Sequence, residues 1–125
     1  MPPYPQHTIG SITIIELPAR VDSVTSLDLE KQLQRLIGVN KGIICDFSQT
    51  TFISSLGLRV LLQAYKDVKR LGSEMVLCSV SDYVMEVFDI SGFSRIFTMY
   101  PSRTEALPAL EISIKSGGMN KVQGE

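Results

Sequence analysis

Hydrophobic residues along the chain follow two patterns, which are short apolar runs and stripes with helical spacing. The clearest stripe recurs in steps of three and four residues from Leu58 to Leu71, and basic residues crowd its last turn before Gly72. Apolar runs such as 42–47 are short and bounded by polar residues, which is typical of strands buried on both faces of a sheet. The two patterns alternate, so the chain is predicted to contain both strands and helices.

The predicted elements follow one another in a regular order. The strands cover about 6–9, 11–17, 42–47, 74–80 and 95–99. The helices cover about 27–37, 58–71, 82–90 and 105–114, and segment 48–55 is predicted to be a loop with some extended character. Gly10-Ser11 would join the first two strands into a hairpin, and the later alternation favours right-handed crossovers onto a parallel sheet. We therefore predict an α/β fold: a single domain with a mostly parallel central sheet, an N-terminal β-hairpin and about four helices.

The length of 125 residues suits one domain. We expect a proline-rich lead-in over 1–8, the domain over 9–115 and a frayed tail over 116–125. Cys45 and Cys78 each lie in an apolar run and are interpreted as buried, reduced thiols, although two cysteines on neighbouring strands could also form a disulfide. The sequence has no run of roughly 18 apolar residues and no secretory signal at its start, so we expect a cytoplasmic protein without membrane insertion.

Charge and composition argue against several classes of function. The net charge is −1, whereas nucleic acids and anionic membranes favour clustered positive charge, so neither is expected as a partner. His7 is the only histidine, and no phosphate-binding or nucleophile motif is present. Asp22, Asp46 and Asp82 lie at predicted element ends, where capping is favoured over Mg²⁺ binding. We expect no enzyme activity, no metal and no cofactor.

The stretch 50–58, immediately before the strongest helix, is the main candidate for a functional site. Ser54 and Ser55 are adjacent at the predicted helix N-terminus. In a structural interpretation, one serine caps the helix and Gly57 allows close backbone approach. In a functional interpretation, a serine stands where free N–H groups and the helix dipole favour the negative charge of a phosphate. The residues alone leave both interpretations open.

A resemblance to a known protein family favours the functional interpretation of the serine pair. Asp46-Phe47-Ser48 followed by Phe52-Ile53-Ser54-Ser55-Leu56-Gly57-Leu58 resembles the signature of STAS domains, typified by bacterial anti-sigma-factor antagonists. Arg20-Val21-Asp22 lies where that family has a Glu-Leu-Asp turn, and Val87-Phe88-Asp89-Ile90-Ser91-Gly92-Phe93 also fits the pattern. The similarity is colinear over roughly residues 8–115, which makes it more specific than the short serine motif.

The resemblance implies a switch protein without catalytic activity. In such proteins the serine of Ser-x-Gly-Leu is phosphorylated by a partner anti-sigma factor that is also a serine kinase, and a serine phosphatase reverses the step. By position this serine is Ser55. Ser54 is the second choice, because it replaces the Asp that commonly precedes the acceptor. The resemblance also implies a partner-binding surface at Asp22, Ser54, Ser55, Gly57, Leu58 and Arg59.

The expected function is that of an anti-sigma-factor antagonist. In the unphosphorylated state it would bind the anti-sigma factor and free the sigma factor, and a phosphate would bring the net charge to roughly −2.5 to −3 and break the contact. One alternative is a STAS scaffold or transporter-associated subunit that docks partners without phosphorylation. Another is an enzyme with Ser55 as nucleophile, for which no activating base is predicted nearby.

Overall fold

The computed structural model describes residues 2–116, which form a three-layered domain with helices on both faces of one main sheet. Its strands are β1 (Gln6–Ile9), β2 (Ile12–Glu16), β3 (Arg20–Val21), β4 (Gly42–Asp46), β5 (Phe52–Ile53), β6 (Glu74–Cys78) and β7 (Thr98–Tyr100). Its helices are α1 (Ser26–Leu36), α2 (Ser55–Arg70), α3 (Asp82–Ser91) and α4 (Arg103–Lys115), with a 3₁₀ turn at Phe93–Arg95. The predicted α/β class and the order of the predicted elements are confirmed.

The main sheet has the strand order β1-β2-β4-β6-β7. Only β1 runs antiparallel to its neighbour, through a hairpin that turns at Gly10, where φ is +62°. The remaining pairs are parallel and in continuous register, for example Ile14 opposite Ile44 and Ile44 opposite Val76. The sheet is therefore mostly parallel with an N-terminal hairpin, as predicted.

Successive residues of a buried strand pack in two separate hydrophobic cores, because side chains of a strand alternate between the faces of a sheet. On β4, Ile43 and Cys45 join the larger core beneath α1, α2 and α3. Ile44, one position away, faces the smaller core, which α4 covers with Ala106 and Leu110. Three helices thus cover one face of the sheet, and one helix covers the other.

A second, two-stranded parallel ribbon consists of β3 and β5, with Arg20 opposite Phe52 and Val21 opposite Ile53. Hydrogen bonds between the residues just before the two strands extend the ribbon. The Thr50 hydroxyl donates to the carbonyl of Pro18 at 2.9 Å, and the Thr51 N–H donates to the carbonyl of Ala19 at 2.8 Å. The extended character expected in 48–55 includes β5 and the following Ser54. Neither two-residue strand was predicted.

The N-terminal segment is bound to α1. The buried Gln32 side chain accepts from the Tyr4 N–H at 3.0 Å and donates to the Tyr4 carbonyl at 2.8 Å. The Tyr4 hydroxyl also donates to the carbonyl of Thr25 at 3.0 Å. The first strand of the sheet begins at Gln6, within the segment expected to be a lead-in. Of the tail expected over 116–125, residues 117–125 lie outside the described residues.

The last strand differs from the prediction. The apolar run 95–99 suggested a strand, but its first residue ends the 3₁₀ turn and the strand covers Thr98–Tyr100. Phe97 is buried in the larger core, in edge-on contact with the ring of Tyr65 at 5.3 Å between centroids. The apolar run therefore reflects two features, a turn that packs against the core and the start of a strand.

Candidate functional site

The N-terminus of α2 is held against the ribbon by Ser54. This residue is extended, with φ −94° and ψ 173°, and its N–H donates to the carbonyl of Val21 at 2.9 Å. Its hydroxyl oxygen accepts from the N–H of Gly57 at 3.2 Å, so Ser54 is the N-cap of the helix. The structural interpretation of the serine pair therefore applies to Ser54.

Ser55 is the first helical residue, and its side chain is exposed. Among the described residues its hydroxyl has no hydrogen-bond partner, and the N–H groups of Ser55 and Leu56 have no acceptor. The first turn of α2 contains no acidic residue. Free N–H groups at a helix N-terminus favour an anion, since the helix dipole is positive there. Ser55 thus combines an accessible hydroxyl with a favourable position for negative charge.

Two residues expected to contact a partner are buried. A Cβ atom at Gly57 would lie 2.7 Å from the Val21 carbonyl oxygen and 2.7 Å from Val21 Cγ1. Leu58 is only 6% exposed and belongs to the larger core. Both residues therefore support the helix start from beneath, which corrects the expectation of a surface role for Leu58. Leu56, which lies off the apolar stripe of α2, is 39% exposed at the same turn and was not predicted.

Asp22 organises the turn that leads into α1. Its carboxylate accepts from the N–H groups of Val24 at 3.0 Å and Thr25 at 3.2 Å and also pairs with Arg20. Chiefly through the Thr25 N–H, these contacts lower the pKa of the Asp22 carboxyl. Since Val21 pairs with Ile53, Asp22 and Ser54 leave the ribbon at the same end. The structure thus places this turn beside the start of α2.

Two arginines lie at this end of the domain. Arg20 is exposed, and its guanidinium stacks over the ring of Phe52, 4.2 Å from the centroid. Arg59 is exposed on α2, four residues after Ser55 and therefore on the same side of the helix. Of the residues predicted for the site, Asp22, Ser54, Ser55 and Arg59 reach the surface here. Arg20 was not predicted, although it lies two positions before Asp22 in the motif.

The sequence also matches a known family: the family model of the STAS domain matches residues 5–106. The chain belongs to the STAS domain family. The resemblance based on the serine motif is therefore confirmed.

Relatives of this STAS domain are named as anti-sigma factor antagonists. It is 36% identical over 109 residues to a protein described as the anti-sigma factor antagonist BtrV of Bordetella bronchiseptica, covering 85% of this chain and 92% of the relative. It is 30% identical over 109 residues to the anti-sigma F factor antagonist of Paenibacillus polymyxa, covering 86% and 92%. A crystal structure of an anti-sigma factor antagonist from Mycobacterium paratuberculosis shares the fold, with a TM-score of 0.79, 18% identity and coverage of 86% and 92%.

A second polar cluster of the STAS domain lies at the carboxyl ends of β2 and β4. Arg103, the first residue of α4, donates from Nε to Asp46 at 3.1 Å and from Nη2 to Glu16 at 3.2 Å. Asp46 also accepts from the N–H of Ser48 at 2.8 Å, so it caps the turn after β4. Burial raises the pKa of Asp46, but the Ser48 N–H and the Arg103 guanidinium outweigh it and hold the pKa below its usual value.

The acidic residues considered as metal ligands lie in different environments. Asp46 is paired with Arg103, and Asp82 lies in the first turn of α3, which Ser81 caps. Over residues 2–116, no group of three or more His, Cys, Asp and Glu side chains could hold a metal ion. Within this same part of the chain, no helix is both long enough and apolar enough to cross a bilayer.

Proposed function

We propose that this STAS domain is a cytoplasmic anti-sigma-factor antagonist whose binding is controlled by phosphorylation of Ser55. The observation that carries the proposal is the division of roles between the two serines. Ser54 is occupied as the helix cap, whereas the Ser55 hydroxyl is exposed at the first helical position. The names of its relatives support an anti-sigma factor as the partner class. Serine kinase activity of that partner is part of the proposal.

The fold is expected to tolerate a phosphate on Ser55. A phosphoserine carries about −1.5 to −2 charges. At this position the charge meets free N–H groups, the positive end of the helix dipole and Arg59 one turn further along. Each of these contacts is favourable for an anion, so the phosphorylated chain remains folded.

The partner contact is not expected to tolerate the phosphate. An uncompensated charge buried at an interface costs several kcal/mol, which corresponds to on the order of a hundredfold or more in affinity. The unphosphorylated chain therefore binds the anti-sigma factor and frees the sigma factor, and the phosphorylated chain releases it. A serine phosphatase returns the protein to the binding state.

The cap geometry favours Ser55 over Ser54 as the acceptor. The Ser54 hydroxyl oxygen lies 3.2 Å from the Gly57 N–H and is partly buried. A kinase that transferred the γ-phosphoryl group of ATP to this oxygen would have to separate it from the helix end. The Ser55 oxygen is free of such a contact within the described residues.

The decisive experiment locates the phosphate. The protein and the variants Ser55→Ala and Ser54→Ala are incubated with ATP and the anti-sigma-type kinase encoded beside the gene, and the products are mapped by mass spectrometry. We expect one phosphate on the unsubstituted protein and on Ser54→Ala, and none on Ser55→Ala. Phosphate on Ser55→Ala but not on Ser54→Ala would move the acceptor to Ser54. An unmodified protein that still binds tightly would instead support a scaffold that works without phosphorylation.

A further inference from the structure

The ribbon presents a polar face beside Ser55. Side chains of a strand alternate between its two faces, and here Val21 and Ile53 are buried in the larger core. The side chains flanking them point the other way and form what we call the outer face of the ribbon. This face consists of Arg20, Asp22, Phe52 and Ser54.

Arg20 is held in place on the outer face although it is exposed. Its side chain is 60% exposed. The guanidinium nevertheless stacks on the Phe52 ring at 4.2 Å and donates from Nε to the Asp22 carboxylate at 3.2 Å. An arginine held in this way loses little rotamer freedom when it binds a partner, and its remaining N–H groups can make a bidentate contact with a carboxylate.

The charges at this end of the domain favour an acidic partner. Arg20, Asp22 and Arg59 together carry a formal charge of +1, in a chain whose net charge is −1. The adjoining first turn of α2 contains no acidic residue, and the helix dipole adds positive potential there. These three side chains are therefore net positive on a protein that is slightly negative as a whole, and Asp28 in the first turn of α1 is the next acidic residue along the chain.

We propose that Arg20 is a specificity-determining contact that binds an acidic residue on the docking surface of the anti-sigma factor. The inference rests on the proposed function and names the chemistry of the partner surface. Arginines held in well-packed settings are among the residues that contribute most to binding at protein interfaces. Opposite charges also guide the approach of two proteins and exclude unsuitable partners.

The same arrangement gives phosphorylation a specific electrostatic effect. A phosphate on Ser55 adds about −1.5 to −2 charges beside this group of residues. Their combined charge then changes from +1 to between about −0.5 and −1. An acidic partner surface attracted by Arg20 is repelled after phosphorylation, so one positive side chain makes the site responsive to one phosphate.

The test compares two charge reversals of equal size. Arg20→Glu is measured against Arg35→Glu. Arg35 is an exposed residue in the last turn of α1, about 14 Å further along that helix than its first residue. Affinity and association rate for the cognate anti-sigma factor are measured at several salt concentrations. We expect Arg20→Glu to weaken binding on the order of tenfold or more and to reduce the salt dependence of association. Arg35→Glu should stay within about twofold of the unsubstituted protein.

A neutral substitution and the unsubstituted protein separate the outcomes. Arg20→Gln should produce a smaller loss of affinity in the same direction, with thermal unfolding measured in parallel to show that both variants fold. If Arg20→Glu binds as well as Arg35→Glu, or more tightly, the inference is wrong while the proposed function stands. If the unsubstituted protein does not bind any anti-sigma factor encoded beside its gene, the proposed function fails and the inference with it.

Discussion

Gly57 lies so close to Val21 that a Cβ atom at residue 57 would stand 2.7 Å from both the carbonyl oxygen and Cγ1 of Val21. Through this contact the first turn of α2 rests directly on β3. The Ser54 N–H reaches the same carbonyl oxygen at 2.9 Å. The position of Ser55 is therefore fixed by backbone contacts beneath it and not by its own side chain.

Gly57→Ala is expected to destabilise the protein. Alanine in a helix normally adds about 0.5–1 kcal/mol of stability relative to glycine. Here the methyl group would overlap backbone, and overpacking of this kind costs about 1–3 kcal/mol. Denaturant unfolding of Gly57→Ala should show a lower free energy of unfolding, with the exposed neighbour Ser55→Ala as control. Increased stability of Gly57→Ala would show that the close approach of Gly57 to Val21 leaves room for a Cβ atom.

Ser54→Ala is expected to remove a helix cap. The lost hydrogen bond to the Gly57 N–H should lower the free energy of unfolding by about 1 kcal/mol, the usual cost of an N-cap substitution. Ser55→Ala should change it by less than about 0.5 kcal/mol, as expected for an exposed side chain. Ser54→Asp retains a capping acceptor and should restore most of the loss. Equal stability of Ser54→Ala and Ser55→Ala would contradict the assignment of Ser54 as the cap.

The contact between Asp46 and Arg103 predicts a pH dependence of stability. The folded-state pKa of Asp46 is lowered, so its ionised form stabilises the fold above the usual carboxyl range. That contribution is complete above about pH 5 and is lost as the pH falls through the folded-state pKa. Asp46→Asn should therefore cost about 1–3 kcal/mol at pH 7, and the difference from the unsubstituted protein should shrink below about pH 4.

Chemical denaturation between pH 3 and pH 7 measures this difference. Asp89→Asn, at an exposed position of α3, is the matched control and should follow the unsubstituted protein. A difference between Asp46→Asn and the unsubstituted protein that grows on acidification would have the opposite sign and would exclude a lowered pKa at Asp46.

The two cysteines are expected to be unreactive in the folded protein. Both are free thiols, and they face different cores because Cys45 lies opposite Leu77 and not opposite Cys78. Burial raises the pKa of Cys78 to about 11 and raises that of Cys45 further. Reaction with a thiol reagent at pH 8 should be on the order of a hundredfold slower than after unfolding. A rapid reaction of the folded protein with the reagent would contradict the burial of the two thiols. Detection of fewer than two reactive thiols after unfolding would contradict their free state.

Periodicity was sufficient to predict most of the fold. The stripe that begins at Leu58 and the apolar runs around Ile44 and Val76 report burial directly, because each is set by contact with the core. The ribbon could not be found in the same way. A two-residue strand such as β3 has no measurable alternation, and its partner β5 lies beyond a helix and another strand.

The sequence identified residues of the candidate site but not their geometry. The motif identified the serine pair, while the choice between cap and exposed hydroxyl depended on the extended conformation of Ser54. Leu58 was expected at the surface although it lies on the buried stripe of α2. The partner of Asp46 is 57 positions away, at Arg103, and no local pattern connects them.

The dissociation constant of the complex with the cognate anti-sigma factor shows whether one phosphate on Ser55 controls partner binding. The constant is measured for the unmodified protein and for protein stoichiometrically phosphorylated on Ser55, with Ser55→Ala carried through the kinase treatment as control. We expect the phosphorylated form to bind on the order of a hundredfold more weakly or worse, and Ser55→Ala to keep the unmodified affinity. Equal affinity of the phosphorylated and unmodified forms would contradict the account.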